Sequence, residues 1–251
     1  MAKTYTKKII TAGSLVIEAV YPRITTADGR RARAAKSKLS TEAQQRMNRI
    51  YSWQKLELLL AANFRPGDPV ATLTYDDAHL PKTRKEAESR LKAFRQRLNI
   101  VRRWKGQAPL LMVWNIEHKH GDGRWHHHCV INSTGDDFTA IRTAWIYGSN
   151  VEIRPLEINS HRNYETLARY LAKEGGDKVG QRAWSYTRSC RQPERETFRV
   201  EADTELRVPR GGIRLDFAAD ANPFGHAQVI KYLAPGFSRT RRRARARRRA
   251  S

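Results

Sequence analysis

The amino-acid sequence predicts an α+β fold in which a central antiparallel sheet carries helices packed on one of its faces. Three observations lead to this prediction. Runs rich in β-branched and apolar residues alternate with segments whose apolar residues recur at helical spacing, in the order strand–helix–strand–strand–helix–strand. Two adjacent strands in the middle are joined through Gly121-Asp122-Gly123, a hairpin signal. No internal repeat is visible.

The first elements are a helix, a strand and a second helix. Thr41 and Gln44 fit a capping box at the start of the first helix, which the segment 63–69, with its two prolines and a glycine, brings to an end. Residues 70–75 alternate Val, Ala, Thr, Leu, Thr and Tyr, which is typical of a strand. Thr83 begins the second helix, whose apolar residues share one face.

The later elements follow from the same criteria. They are a strand over 110–117, its returning partner over 125–132, a short helix over 136–147, an edge strand over 151–153 and a helix over 164–174. Residues 177–235 contain short apolar runs without a readable period. We therefore predict one domain over 41–235, preceded by a basic flexible arm over 1–40 and followed by an Arg-rich disordered tail over 236–251.

The charge of the chain points to a polyanionic partner. The 251 residues contain 48 Lys and Arg against 25 Asp and Glu, a net charge of +23. Removal of the eight arginines between residues 239 and 249 leaves a strongly basic body. Nucleic acid is the partner that such a charge favours, with an anionic membrane surface and a structural RNA-binding role as alternatives. The absence of a long apolar stretch and the presence of only two cysteines fit a cytoplasmic protein without a disulfide framework.

The hairpin between the two central strands carries the strongest chemical signal. On a strand, residues i and i+2 point to the same face, so His126 and His128 project together and His127 points away. A two-residue loop would set Glu117 opposite His126 or His128, on the face of that pair, whereas a three-residue loop would set it opposite His127. Two imidazoles and a carboxylate suit Mg²⁺ or Mn²⁺, and zinc has compatible ligands.

Two plainer interpretations of this cluster stay open. The three histidines could be fortuitous neighbours on a solvated strand. Alternatively, Cys129 with His118 or His120 could form a structural zinc site, although no second cysteine lies nearby in the sequence.

The helix over 164–174 supplies a phenol and an amine. Tyr170 and Lys173 are i, i+3 neighbours and share one side of this helix. A phenol that attacks phosphorus must lose its proton, and a lysine can stabilise the resulting charge. Tyr170 could equally be an aromatic residue at the edge of the core. Tyr164 points about 120° away on the helical wheel and is the weaker nucleophile candidate.

These motifs together resemble the HUH endonucleases. Residues 71–75 (Ala-Thr-Leu-Thr-Tyr), the Glu117 and His-x-His hairpin, and Tyr170-x-x-Lys173 are similar, in order and spacing, to three motifs of that superfamily. The resemblance covers roughly residues 40–200. It is narrower towards the rolling-circle replication initiators of small bacterial plasmids, phages and related elements, although those proteins usually have an apolar residue at the place of His127.

The resemblance implies both a fold and a chemistry. It implies a palm-like sheet, similar to an RNA-recognition-motif fold, with Glu117, His126 and His128 holding Mg²⁺ or Mn²⁺. It implies Tyr170 as the nucleophile that nicks single-stranded origin DNA and forms a 5′-phosphotyrosine link, with Lys173 assisting and the strands later rejoined. The residues expected to contact DNA are Thr72, Thr74, Arg124, Arg241, Arg242 and Arg243.

The expected partners are single-stranded or origin DNA and the host helicase and polymerase, because the sequence contains no P-loop motif for its own helicase. A relaxase or transposase with the same chemistry, and a non-catalytic nucleic-acid-binding protein, are the alternative functions. We expect substitution of His126 or His128 to abolish cleavage and substitution of His127 to be milder.

Overall fold

The chain divides into two compact units. The computed structural model describes residues 4–23, 42–118, 123–158, 163–173, 182–222 and 225–235. The terminal unit joins residues 1–37 to residues 192–251, and the central unit spans residues 38–191. The described residues of each unit contain one five-stranded antiparallel sheet.

The sheet of the terminal unit is assembled from both ends of the chain. Its strands are β1 (Tyr5–Ala12), β2 (Leu15–Pro22), β8 (Glu194–Val200), β9 (Ile213–Asn222) and β10 (Gly225–Leu233). They lie in the order β8–β1–β2–β10–β9. Its small core contains Val16, Val20, Ile230 and Tyr232. A buried carboxylate, that of Glu18, accepts a hydrogen bond from the Tyr232 hydroxyl at 2.5 Å.

This sheet corrects the prediction of an irregular arm over residues 1–40, because residues 5–12 and 15–22 form a hairpin. The period-2 signal is hidden in the sequence because Lys7 and Glu18 lie on the buried face, where they form an ion pair of 2.7 Å. Residues 192–235 likewise belong to this second unit rather than to an extension of the central one. The predicted tail over 236–251, and the parts of the predicted arm at 1–3 and 24–40, lie outside the described residues.

The sheet of the central unit follows the predicted order of elements. Its strands are β3 (Pro69–Thr74), β4 (Met112–Glu117), β5 (His126–Ile131), β6 (Val151–Pro155) and β7 (Trp184–Tyr186). They lie in the order β6–β3–β5–β4–β7, and each strand is antiparallel to its neighbours. The predicted antiparallel sheet with a His-x-His strand at its centre is therefore confirmed.

Helices cover both faces of this sheet rather than the single face that was predicted. The helices are α1 (Glu42–Asn63), α2 (Arg84–Trp104), α3 (Asp137–Ala144) and α4 (Glu165–Leu171). On β3, Ala71 packs in a core with α2 and α3, whereas the preceding Val70 packs in a core with α1 and α4. Successive strand residues point to opposite faces, so both faces are apolar and each needs its own helical layer.

The ends of the helices agree with the sequence signals where the structure describes them. The backbone N–H of Glu86 donates to Thr83 Oγ1 at 3.2 Å, which confirms the predicted cap of α2. Thr41, the predicted cap of α1, lies outside the described residues. None of the helices among the described residues combines the length and the hydropathy that a membrane span requires.

Candidate active site

Polar side chains gather on the sheet face that α1 and α4 cover. The register pairs Glu117 with His126, and Asn115 with His128. Paired residues of antiparallel strands share a face, so all four side chains lie on one side of the sheet. This is the first of the two predicted registers, and the strand pairing confirms it. The turn residues 119–122 lie outside the described residues.

The same face is apolar at one end and polar at the other. Val70, Val113 and Val130 lie on three neighbouring strands and pack against α1 and α4. Two residues further along β4, and two residues back along β5, the side chains become Asn115 and His128. The hydrophobic layer therefore anchors the strands, and the polar residues are presented beside it rather than in open solvent.

His128 and Glu117 are in direct contact. His128 Nε2 lies 2.6 Å from Glu117 Oε2, and both side chains are about nine-tenths buried or more. Buried polar groups are expensive unless they are hydrogen-bonded, so this contact stabilises both. The imidazole and the carboxylate are thus held together at the centre of the polar face.

Threonine hydroxyls hold the other nitrogen of each histidine ring. Thr72 Oγ1 lies 3.2 Å from His128 Nδ1, and Thr74 Oγ1 lies 3.3 Å from His126 Nδ1. The register sets these threonines of β3 directly opposite the two histidines. A hydroxyl can donate or accept, so each threonine suits either tautomer of its histidine. These threonines, predicted to bind DNA, therefore also orient the rings.

Tyr170 reaches the same histidine from α4. Its hydroxyl lies 3.3 Å from His128 Nε2, and the two rings meet edge to face with centroids 5.4 Å apart. The Asn115 side chain donates to the carbonyl of Leu171 at 3.3 Å, which ties α4 to the sheet next to Tyr170. Tyr170 is 39% exposed, so its phenol is open to a substrate.

Tyr164, the weaker nucleophile candidate, is turned into the core. Its side chain is 6% exposed and its hydroxyl donates to the carbonyl of Phe64 at 3.3 Å. Burial raises the pKa of the Tyr164 phenol well above its ordinary value. A buried phenol that is harder to ionise is a poor nucleophile, so Tyr170 is the tyrosine that the geometry favours.

His127 lies on the opposite face, as the alternation of the strand predicts. It is fully buried, and its Nε2 lies 2.6 Å from the hydroxyl of Tyr75. Burial, together with the neighbouring His128 and His126, lowers the pKa of His127 to about 3. The ring is therefore neutral at ordinary pH and serves the core formed with Trp145.

The remaining predicted site residues differ in their surroundings. Lys173 is exposed just beyond the last turn of α4, where its backbone N–H donates to the carbonyl of Tyr170 at 3.1 Å. Arg124 donates to the carbonyl of Tyr75 and forms an ion pair of 2.7 Å with Asp77, so its guanidinium braces the loop before β5. Arg241, Arg242 and Arg243 lie outside the described residues.

The donor set has the chemistry of a divalent cation site, although the side chains lie closer together than such a site requires. Among the described residues, no three His, Cys, Asp or Glu side chains are arranged to hold a metal ion. His128 and Glu117 instead contact each other directly, and a cation would have to replace that contact. Both Nδ1 atoms contact hydroxyls, which is the arrangement that leaves Nε2 as the ligand atom in histidine sites.

The alternative zinc site does not form among the described residues. Cys129 is fully buried on the face opposite His128, and burial raises the pKa of its thiol above the ordinary range. His118 stacks on Trp125, with ring centroids 4.0 Å apart. His120 lies outside the described residues.

Sequence reasoning missed two residues of the site. Asn115 precedes Glu117 by two positions on β4, so period-2 alternation alone could have assigned it to the same face. Tyr75 follows the two threonines on β3, but its contact with His127 depends on strand pairing that a local pattern does not reveal. Both residues position other groups: Asn115 fixes α4, and Tyr75 fixes the central histidine.

Comparison with known proteins adds a family. No curated protein and no solved structure matches the chain significantly. Residues 68–176 match the family model for replication-associated proteins of the ORF2 group. The matched range contains β3, α2, β4, β5, α3, β6 and α4, and with them every residue of the polar face. This part of the chain is therefore similar to replication-associated proteins, which supports a function as a replication initiator.

Proposed function

We propose that the protein initiates rolling-circle replication as an HUH endonuclease that nicks single-stranded DNA at an origin. The observation that carries the proposal is the contact of the Tyr170 hydroxyl with His128 Nε2, which also contacts Glu117. A nucleophile, an imidazole and a carboxylate meet there, on a strongly basic chain. The match to replication-associated proteins supports the same function.

The reaction forms one bond to phosphorus and breaks another. The Tyr170 oxygen attacks the scissile phosphorus, and the bond from phosphorus to the 3′ oxygen breaks. The products are a 5′-phosphotyrosine link and a free 3′-hydroxyl, and the proton lost by the phenol balances the one gained by the 3′ oxygen. The 3′-hydroxyl can later attack the phosphotyrosine, which rejoins the strand and restores Tyr170.

Residues beside Tyr170 have supporting roles in this proposal. Lys173, exposed at the end of the same helix, stabilises the charge that develops on the phenolate and the phosphate. Glu117, His126 and His128 would hold Mg²⁺ or Mn²⁺. When bound, such a cation supplies Lewis-acid polarisation of a phosphate oxygen. Thr72 and Thr74 keep the two rings in the orientation that coordination needs.

The partners follow from the proposed reaction. Single-stranded or origin DNA is the substrate, and the freed 3′-hydroxyl is a primer for a host polymerase. Unwinding ahead of that polymerase falls to a host helicase, because the sequence lacks a P-loop motif.

Detection of a covalent protein–DNA adduct tests the proposal. The full chain is incubated with Mn²⁺ and single-stranded oligonucleotides that tile the DNA flanking its gene, and the products are separated on a denaturing gel. We expect an adduct that EDTA prevents and that Tyr170→Phe abolishes. Tyr164→Phe is the matched control: it also removes one tyrosine hydroxyl from this region, but a buried one, and should retain the adduct.

The same gel distinguishes the competing functions. Adduct formation by Tyr170→Phe, or its loss in Tyr164→Phe alone, would contradict the assignment of the nucleophile. Absence of any adduct from correctly folded wild-type protein that still binds DNA would favour a non-catalytic DNA-binding protein. The sequence of the oligonucleotide that reacts separates an origin from the hairpin ends or transfer origins cut by transposases and relaxases.

A further inference from the structure

A groove in the central unit, outside the polar face, combines aromatic rings with cations. It has a volume of about 600 Å³ and is lined by side chains of α2, β4 and the segment that follows β7. Those on which the argument depends are Arg95, Trp114, Tyr186 and Arg188. Trp114 is adjacent to Asn115 on β4, so its side chain points to the sheet face opposite the polar residues.

One wall of the groove is a stacked pair of a cation and an indole. The Arg95 guanidinium lies 4.3 Å from the centroid of the Trp114 ring. Among the described residues, Arg95 Nε has no hydrogen-bond acceptor, although it is buried. Burial also lowers the pKa of this guanidinium, because the charged form is partly deprived of water. A partly desolvated cation of this kind favours an anion in the groove.

The rest of the groove has the same character. Arg188 is exposed, Tyr186 is 37% exposed, and no described residue that lines the groove is acidic. A small anion such as phosphate would need only the arginines. The exposed faces of Tyr186 and of the Arg95 guanidinium also offer flat surfaces, and nucleobases stack on both kinds of group. The groove therefore fits a ligand that carries both a planar base and a phosphate.

We propose that this groove binds a nucleotide of single-stranded DNA, with its base stacked on Tyr186 and on the outer face of Arg95 and its phosphate beside Arg188. The inference rests on the proposed function for its choice of DNA as the ligand. It adds a second contact with the substrate strand, away from Tyr170.

Strand β7 connects this groove to the polar face. Trp184 pairs with Asn115, whose side chain holds the end of α4, while Tyr186 pairs with Val113 and lines the groove. The rings of Trp184 and Tyr186 lie 5.9 Å apart on this edge strand. A DNA strand that leaves Tyr170 along β7 therefore meets two aromatic rings before it reaches Arg95.

Binding measured without cleavage tests the proposal. The Tyr170→Phe protein is titrated, in the absence of Mn²⁺, against fluorescein-labelled oligothymidylate of roughly 12 nucleotides, and fluorescence anisotropy gives the Kd. Loss of one stacked base in Tyr186→Ala should raise the Kd about five- to a hundredfold. Arg188→Gln should lower the slope of log K against log salt by about 0.7.

An exposed pair on α3 gives matched controls. Phe138 is 55% exposed, and Arg142 lies against its ring, outside the groove. Phe138→Ala and Arg142→Gln remove an aromatic ring and a cation of the same kinds, and should change the Kd by less than about twofold. Equal effects of groove and control variants, or no effect of the groove variants, would overturn the proposal.

A crosslinking measurement locates the strand directly. Oligothymidylate that contains 5-iodouracil is photo-crosslinked to the full-length Tyr170→Phe protein, and peptide mass spectrometry maps the attachment. Attachment at Tyr186 or Trp114 is expected, and attachment only at other residues would refute the groove. Because neither measurement needs cleavage, failure to form a Tyr170 adduct would refute the proposed endonuclease while leaving the groove intact, and the reverse result is equally distinguishable.

Discussion

At His126 and His128, the nitrogen that faces β3 is held by a threonine hydroxyl, which fixes how each ring turns. The distances from the two Nδ1 atoms to Thr72 and Thr74 are 3.2 and 3.3 Å. A hydroxyl at this position is a stronger constraint on the ring than shape alone, because a rotated imidazole would lose the hydrogen bond. The two threonines should therefore matter to the reaction even if they never contact DNA.

Replacement of Thr72 by valine keeps the volume and removes the hydroxyl. We expect metal-dependent adduct formation by Thr72→Val to fall about 10- to 100-fold, because the orientation of His128 is no longer fixed. Urea unfolding and oligonucleotide affinity should change little. Thr72→Ser restores the hydroxyl and should recover most of the rate, whereas a serine variant as slow as the valine variant would rule out a hydrogen-bonding role.

His127→Ala is expected to fail through folding rather than chemistry. The change empties a fully buried site and leaves the Tyr75 hydroxyl without its partner, at a cost of about 3 kcal/mol. Urea denaturation should show a lower midpoint for His127→Ala than for Thr72→Val, the isosteric change on β3. A His127→Ala protein as stable as wild type would contradict the buried contact. The expectation that this substitution is mild therefore applies to chemistry only.

At the scale of elements, the start of α3 is fixed by a buried ion pair. Asp137 Oδ1 lies 3.3 Å from Arg102 Nη2 of α2, and both side chains are more than nine-tenths buried. The same carboxylate accepts hydrogen bonds from the Ser133 hydroxyl and the Thr134 backbone N–H, each at 2.8 Å. Two helices and the loop after β5 thus depend on one side chain.

Asp137→Ala should destabilise the central unit by about 3–5 kcal/mol, because it leaves the Arg102 charge buried without a partner. Burial alone would raise the pKa of Asp137, but the hydrogen bonds from residues 133–135 outweigh it and lower the pKa. The stabilisation is therefore complete above about pH 4 and is lost as the pH falls through the lowered value. Urea unfolding from pH 7 to pH 3 measures this loss, and Asp137→Asn should lack that part of the pH dependence.

Local patterns were sufficient for the central unit because its elements signal themselves over a few residues. The alternation on β5 separated His127 from its neighbours, and Thr83 marked the start of α2. The hairpin β1–β2 gave no such signal, since Lys7 and Glu18 occupy buried positions. Its sheet is completed by β8 and β10 from the far end of the chain, and pairing at that separation leaves no local pattern.

The site was predictable to a similar extent. Glu117, His126, His128 and Tyr170 do lie together, because alternation and helical spacing determine which way each side chain points. The orienting contacts of Thr72 and Thr74 depend on which strand lies next to β5, and a sequence of alternating residues does not specify its neighbour.

For the whole molecule, charge should govern how tightly DNA is held but not how it is cut. Deletion of residues 239–249 removes eight of the 48 basic residues. If each removed arginine contacts a phosphate, the slope of log K against log salt should become shallower by as much as about 5. Adduct formation at saturating DNA should be unchanged, because the polar face lies in the central unit. An unchanged salt slope would show that these arginines do not contact the DNA.

The single strand β5 takes part in both hydrophobic layers of the central unit, with Cys129 and Ile131 on one side and Val130 on the other. It is a shared partition, so neither layer can melt while the other keeps its shape. Heat inactivation should accordingly coincide with a single cooperative calorimetric transition of this unit, and the histidines between the layers would lose their arrangement only when both layers do.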